Sequence, residues 1–421
     1  MECPRCTSEM SKGRCPNCGY TVPSQRASDT DDTTSKLKGL ATFLAVILFL
    51  GYLIFNTSLM LLSTHLILPE TLVNENTILI VVGGLPVGLT YISGYTFAIY
   101  FLFILGAILL SYAFIFYTGW EALVYYMKNV FRGKFRKLDK DGIATSSPFM
   151  RLVTIFTALV FIATVYILML ELIGRGIERP DEDLHLWMRI FGPTQAAVWE
   201  EIVVRIAYIG LPMVIYALAK GKKNFTKYLL GGFGFKESFS VTLVIISSIV
   251  FATAHLPAWG WDPLQILWVI PVGIFFGYLF VKDGIHSAIL LHFVWNYFSV
   301  PGILFEAPDI DLVLFFMRLF WMAVGLYYTY EYITKFLHWL PEKREKERVK
   351  QKEEFEEERK VKDHTAGVTI GYVCQSCGYN KAEYTSEGKL RCTRCGTKSD
   401  PKSPQVQQQK KLLQTDRWPP S

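Results

Sequence analysis

The sequence predicts an all-α integral membrane protein of about eight transmembrane helices, with a small zinc-ribbon module at each end. Three observations carry that prediction. Of 421 residues, 51% are apolar, 15% aromatic and only 19% charged, and mean hydropathy is positive at +0.27; an ordinary soluble domain carries about 25% charge. The apolar residues gather into stretches long enough to cross a hydrocarbon layer of about 30 Å. All eight cysteines fall into four C-x-x-C pairs outside those stretches. This composition excludes a disordered, collagen-like or wholly soluble chain. The net charge of +6 is segregated to the ends and a few loops, so it speaks to orientation in a membrane rather than to nucleic acid.

In chain order, residues 1–22 hold CPRC and CPNCGY, with Cys3, Cys6, Cys15 and Cys18. Two thiolates on a tight turn clasp one side of a tetrahedral ion, and two such knuckles close the site. Residues 370–398 repeat the device with Cys374, Cys377, Cys392 and Cys395. Gly19, Gly378 and Gly396 follow the second cysteine of their pairs, where a knuckle needs positive φ. Disulfides and redox C-x-x-C sites are the competing readings; the use of every cysteine, with each end complete, favours two structural Zn²⁺ sites. Zinc ribbons imply a reducing compartment, so both ends are expected in the cytosol.

After a linker at 23–38, spans are predicted near 39–64, 96–118, 152–174, 194–219, 239–256, 264–281, 284–300 and 311–336. Residues 39–150 form an accessory helical region and 151–340 a core. The apolar run at 77–93 is broken by Gly83, Gly84, Pro86 and Gly88, which reads as a re-entrant or interfacial piece. No cleavable signal peptide is expected, because the chain opens on a metal knuckle. Lys128, Arg132, Lys134, Arg136, Lys137 and Lys140 follow the second span, and Lys220, Lys222, Lys223, Lys227 and Lys236 follow the fourth. The loops 65–95, 257–263 and 301–310 carry no Lys or Arg. The positive-inside rule then places both ends of a multi-pass cell-membrane protein in the cytosol. Residues 341–366 alternate acid and base as a solvated helical spacer, and 399–421 read as a disordered tail.

Charge at bilayer depth costs about 2.5–3.5 kcal/mol per residue on insertion scales, so its clustering is informative. Glu200 and Glu201 precede Arg205 in WEEIVVR; His255 lies four residues after Phe251 in FATAH; Asn296 lies four residues after His292 in HFVWN. Positions four apart share a helix face, so three helices can aim polar groups at one spot. Glu201 and Arg205 can neutralise each other, leaving Glu200 as the carboxylate suited to general-base work. His255 could help hold and polarise a water, and His292 with Asn296 could stabilise an oxyanion. The proposed topology puts all of them in the outer half of the bilayer, with Glu200 roughly 9 Å below the edge.

These motifs resemble the CPBP family of intramembrane glutamic endopeptidases, which includes the type II CAAX prenyl endopeptidases. The family's E-E-x-x-x-R, F-x-x-x-H and H-x-x-x-N/D patterns are matched by Glu200, Glu201 and Arg205, by Phe251 and His255, and by His292 and Asn296. The resemblance covers about residues 150–300. It implies a hydrolase in which Glu200 and His255 activate water, His292 and Asn296 form the oxyanion hole, and Glu201, Arg205 and Phe251 shape the site. No catalytic metal is expected, although Glu and His ligands leave a metal-dependent variant open. A cytosolic prenylated tail does not suit a site in the outer half. Either the cavity opens inward, the substrate is a membrane or exported polypeptide, or a span is misassigned.

Two other functions stand beside the peptidase. One is a non-catalytic membrane scaffold whose ribbons bind cytosolic proteins. The other is a proton-coupled transporter, disfavoured because no internal repeat or paired broken helices are visible. The expected partners are the bilayer and a membrane-associated protein or peptide. Neither ribbon has the basic, aromatic stripe of a nucleic-acid binder. His65, His185, His286 and His338 read as core histidines, and Arg318 as a residue that snorkels or pairs.

Overall fold

The computed structural model describes residues 26–135, 138, 147–175, 184–223, 225–235, 238–259, 263–298, 300–301, 309–310, 312–337, 369–385, 387–400, 403 and 407. The predicted N-terminal ribbon with Cys3, Cys6, Cys15 and Cys18, the charged spacer, and nearly all of the tail lie outside these residues. The chain divides into two units, Met1–Glu331 and Tyr332–Ser421.

The first unit is mostly helical. Helix α1 spans Arg26–Val73 and α2 spans Gly94–Phe131. Helix α3, Pro148–Leu172, shows why it starts where it does: Pro148 occupies the first turn, where no N–H is needed, and the Ser147 hydroxyl accepts from the Met150 N–H. Positive φ at Gly174 follows its end. Helix α4, Leu186–Glu201, runs without a break into a π-helix, Ile202–Gly210, and then α5, Leu211–Ala219. A short α6, Phe225–Leu230, precedes α7, Ser238–Trp259, α8, Pro263–Lys282, and α9, Ile285–Asn296. Helix α10, Leu312–Leu337, crosses the division between the units.

Six of these segments are long and apolar enough to cross a membrane: Thr33–Val73, Gly94–Phe131, Pro148–Leu172, Leu186–Ala219, Ser238–Leu256 and Leu312–Leu337. A helix occurs at each of the eight predicted places. Two of them fall short of the length criterion. The apolar stretch of α8 is Ile266–Lys282, and α9 has 12 residues, about 18 Å against a hydrocarbon layer of about 30 Å.

The purely helical expectation needs one correction. The glycine-broken run at 77–93 is a β-hairpin, β1 (Glu75–Val82) paired antiparallel with β2 (Leu85–Ser93). Gly83 and Gly84 make the two-residue turn, both with positive φ, as that turn class requires. A run of Ile, Val and Leu satisfies helix and strand patterns alike; the Gly-Gly pair decides between them.

Two devices set the helix spacing around the site. Gly273 and Gly277, four apart on α8, let it lie against α7: a Cβ at Gly273 would come within 3.0 Å of Ser248 Cα, and one at Gly277 within 3.0 Å of Val244 Cγ1. The second is a buried bidentate ion pair. Arg151 in the first turn of α3 donates from Nε to Asp283 Oδ2 at 2.8 Å and from Nη2 to Asp283 Oδ1 at 2.7 Å. Asp283 lies in the turn between α8 and α9, so the pair fixes where α9 begins.

Removing one member of that pair strands the other charge in the interior. Asp283→Ala is expected to lower stability by about 3–5 kcal/mol, while Arg151→Met with Asp283→Leu recovers most of the loss. Unfolding of the purified protein in detergent measures both; equal losses in the single and double variants would show that the pair is not the staple.

Candidate active site and metal centre

Helix α4 ends on Glu200 and Glu201, and the π-helix begins at the next residue. Long π segments are rare and concentrate at functional sites. Here the segment carries Arg205, which is fully buried, as is Glu201. Arg205 Nε donates to Glu201 Oε2 at 2.9 Å and Nη1 donates to Ser247 Oγ on α7 at 2.6 Å. Its guanidinium stands 5.0 Å from the Phe251 ring centre and 6.0 Å from that of Phe276, so the planar cation is faced by aromatic quadrupoles.

The other oxygen of Glu201 belongs to a second helix. His292 Nδ1, from α9, lies 3.0 Å from Glu201 Oε1. A carboxylate already paired with Arg205 can only accept there, so Nδ1 carries a proton, and in the neutral ring the lone pair is then on Nε2. That Nε2 lies 3.9 Å from Glu200 Oε2, beyond a direct hydrogen bond but within the span of one bridging atom. Glu200 is the more open of the two acids, its side chain 23% exposed against 0% for Glu201. The His292 ring is stacked on Phe276 at 4.6 Å and meets the edge of Phe251 at 5.8 Å.

His255 joins through Phe251. Its Nδ1 is 2.8 Å from the Phe251 carbonyl, one turn back on α7, and the two rings are 4.9 Å apart. A carbonyl only accepts, so the neutral ring is protonated at Nδ1. Asn296 lies one turn beyond His292 and donates from Nδ2 to the Pro193 carbonyl of α4 at 3.2 Å. Glu200, Glu201, Arg205, Phe251 and His292 are thus in mutual reach. His255 connects to them through an aromatic ring, and Asn296 through the opposite helix.

Two members of this arrangement escaped the sequence reading. Ser247 stands four residues before Phe251 and eight before His255, so the same face periodicity that linked those two could have included it. Phe276 had no such signal, being one aromatic in an apolar helix. The hairpin is a third addition: Trp199 Nε1 donates to the Leu79 carbonyl at 2.6 Å, and Tyr208 Oη donates to the Val81 carbonyl at 2.8 Å. It lies along the helix that carries Glu200.

The metal centre is in the second unit. Strands β3 (Thr369–Gly371), β4 (Lys381–Tyr384), β5 (Leu390–Cys392) and β6 (Lys398–Ser399) form an antiparallel sheet. The sulfurs of Cys374, Cys377, Cys392 and Cys395 all lie within 4.8 Å of one another, with Cys374–Cys395 at 3.5 Å and Cys377–Cys392 at 3.6 Å. A disulfide requires about 2.05 Å, whereas four thiolates on a tetrahedral zinc stand about 3.8 Å apart. The cluster can hold a metal ion. Gly378 and Gly396 have φ of +68° and +73°, as the knuckles require. Their N–H groups donate to the carbonyls of Cys374 and Cys392. The Thr397 hydroxyl lies 3.2 Å from Cys395 Sγ, where it can donate to the thiolate that ligates metal. Its buried core of Tyr372, Cys374, Ala382, Leu390 and Cys392 is too small to hold the sheet alone.

A family model described as Type II CAAX prenyl endopeptidase Rce1-like matches residues 182–298, the stretch from just before α4 to just after α9. No curated protein and no solved structure matches the chain. The match supports the CPBP resemblance and a multi-pass membrane protein of protease type.

Ser247→Ala would deprive Arg205 Nη1 of its acceptor in a site where Nη2 already has no hydrogen-bond partner among the described residues. A loss of about 1–3 kcal/mol is expected, with Ser247→Thr close to the parent; unchanged unfolding of the alanine variant would show that the contact carries nothing. Metal analysis of the purified full chain is expected to find bound zinc, and Cys374→Ser with Cys377→Ser is expected to lower the content by one ion. Unaltered zinc content in that variant would remove Cys374 and Cys377 from the site.

Proposed function

We propose that the protein is an intramembrane peptidase that hydrolyses a membrane-associated polypeptide with a water activated by Glu200 and His292. One observation carries the reading: Glu201 is bound on one oxygen by Arg205 and on the other by His292 Nδ1, and His292 Nε2 is thereby turned toward Glu200. A buried acid that orients a histidine, with a second, more open acid beyond it, is an arrangement for proton transfer.

The proposed reaction starts with water between the Glu200 carboxylate and the lone pair of His292 Nε2. Glu200 takes one proton as the water oxygen bonds to the scissile carbonyl carbon, and the carbonyl π pair moves onto its oxygen. The Asn296 amide is the donor assigned to that oxyanion. The C–N bond then breaks, the carbonyl re-forms, and the proton held by Glu200 passes to the departing nitrogen. His255 helps to hold the water, as the sequence reading had it. His292 is assigned differently. In the tautomer fixed by Glu201 its Nε2 accepts rather than donates, which suits the base more than the oxyanion hole.

Cytosolic ends belong to the same proposal. They are supported by the Lys and Arg residues after α2 and α5, and by the joining of the start of α3 to the end of α8 through Arg151 and Asp283. Eight crossings would require residues beyond Asn296 to complete the short α9. Two structural zinc ions and a cytosolic partner for the ribbons complete this reading.

Glu200→Gln keeps the shape of the side chain and removes the base. It is expected to reduce cleavage by about 10²–10⁴-fold while the protein stays folded, and His292→Ala is expected to do the same. Quantitative comparison of membrane-protein fragments in cells carrying the parent or the glutamine variant provides the measurement; identical fragment profiles would end the peptidase reading.

A further inference from the structure

The hairpin leaves one edge open, and the chemistry of that edge names what closes it. The two-residue turn makes Val82 and Leu85 the closing hydrogen-bonded pair of β1 and β2. Antiparallel pairs alternate, so between the turn and the bulge that leaves Leu89 unpaired, Val81–Pro86 and Leu79–Gly88 are non-bonded pairs whose backbone groups point outward. The β1 side agrees with this register. The Leu79 and Val81 carbonyls accept from Trp199 and Tyr208, and the Gly83 N–H donates to the same Tyr208 hydroxyl. Pro86, which has no N–H to offer, also sits at an outward position, as a strand proline must.

Strand β2 packs along α7, but its outward backbone groups have no such partners among the described residues. The Pro86 carbonyl and the Gly88 N–H and carbonyl have no hydrogen-bond partner among the described residues, and Gly88 is exposed. The surroundings are apolar: residues 76–93 contain no charged side chain, and Leu85, Val87, Leu89 and Tyr91 are 62%, 44%, 60% and 74% exposed. The hairpin runs along the membrane-crossing segment Leu186–Ala219, from Asn76 against Gln195 to Gly83 against Tyr208. An open sheet edge at that depth is costly unless protein covers it.

Resting on the peptidase reading, we infer that the outer edge of β2 binds an extended segment of the membrane-embedded polypeptide substrate as a third strand. Only a polypeptide supplies alternating donors and acceptors together with apolar side chains, the requirements of strand addition. The register sets the level. Gly88 pairs with Leu79, whose carbonyl is held by Trp199, the neighbour of Glu200. Glycine at 88 lets another backbone approach closely. The hairpin thus presents substrate in extended form, as hydrolysis of an amide requires, at the level along the helix where the catalytic acid stands.

The full chain carrying Glu200→Gln, in lipid nanodiscs, is incubated with a pooled library of synthetic apolar decapeptides, and retained members are read by mass spectrometry. Retention of a defined subset is expected. Gly88→Pro removes one donor and, like Pro86, leaves pairing with β1 intact; it should weaken retention by about tenfold. Gly88→Ala, whose Cβ meets only the Thr77 methyl at 3.7 Å, should retain the peptides. N-methylation of a retained peptide should weaken binding at alternate amides within the stretch that pairs with Leu85–Gly88, before the bulge. No retention, retention indifferent to Gly88→Pro, or sensitivity without alternation would overturn the inference. Retention without cleavage by the Glu200 parent would instead defeat the peptidase reading and leave the strand site standing.

Discussion

A buried carboxylate shared between two helices is the interaction on which the rest of this site depends. Glu201 is fully buried in a segment long and apolar enough to cross a membrane, where an ionised acid without partners is not stable. Arg205 supplies the opposite charge from its own helix, and the remaining oxygen takes the N–H of His292 from α9. Neutralisation alone would need only the arginine. The second bond converts a charge problem into an orienting device, because it fixes both the ring plane and the tautomer of the histidine that faces Glu200.

That device works only if three helices approach closely, and the sequence provides for this with small residues and one ion pair. Gly273 and Gly277 bring α8 onto α7, which places Phe276 against both His292 and Arg205. Phe251 on α7 touches the same two residues and His255. The polar site is therefore walled by aromatic rings, which lowers the local dielectric and strengthens every ionic contact within it. At one end, Arg151 and Asp283 anchor the turn from which α9 departs. The length of α9 from that anchor, 12 residues, brings Asn296 opposite Pro193 of α4.

The hairpin and the ribbon solve a different problem, that of backbone or fold unable to stand alone. The outward carbonyls of β1 are met by Trp199 and Tyr208, so a strand can lie along a membrane-crossing helix. The ribbon has four short strands and a core of five buried residues. Its four converging sulfurs supply the additional restraint, and the same turns that satisfy the backbone at Gly378 and Gly396 aim the thiolates inward.

Helix positions, the glutamate–arginine pair, the candidate histidines and the C-terminal cysteine knuckles were legible in the sequence, because each rests on local spacing. A period of 3.6 marks a helix face, an i,i+4 acid and base meet without help, and C-x-x-C with glycine is a turn whatever surrounds it. The hairpin was not foreseen because a run of Ile, Val and Leu satisfies helix and strand patterns equally, and the Gly-Gly turn was taken for a break rather than a reversal. Tertiary structure alone decided the partners of His292, the place of Ser247 and Phe276, and the different circumstances of the two neighbouring acids. The physical reason is that tautomer, shielding and accessibility are set by groups 40 to 90 residues away in the chain. Spacing within one helix carries no information about which face another helix will present.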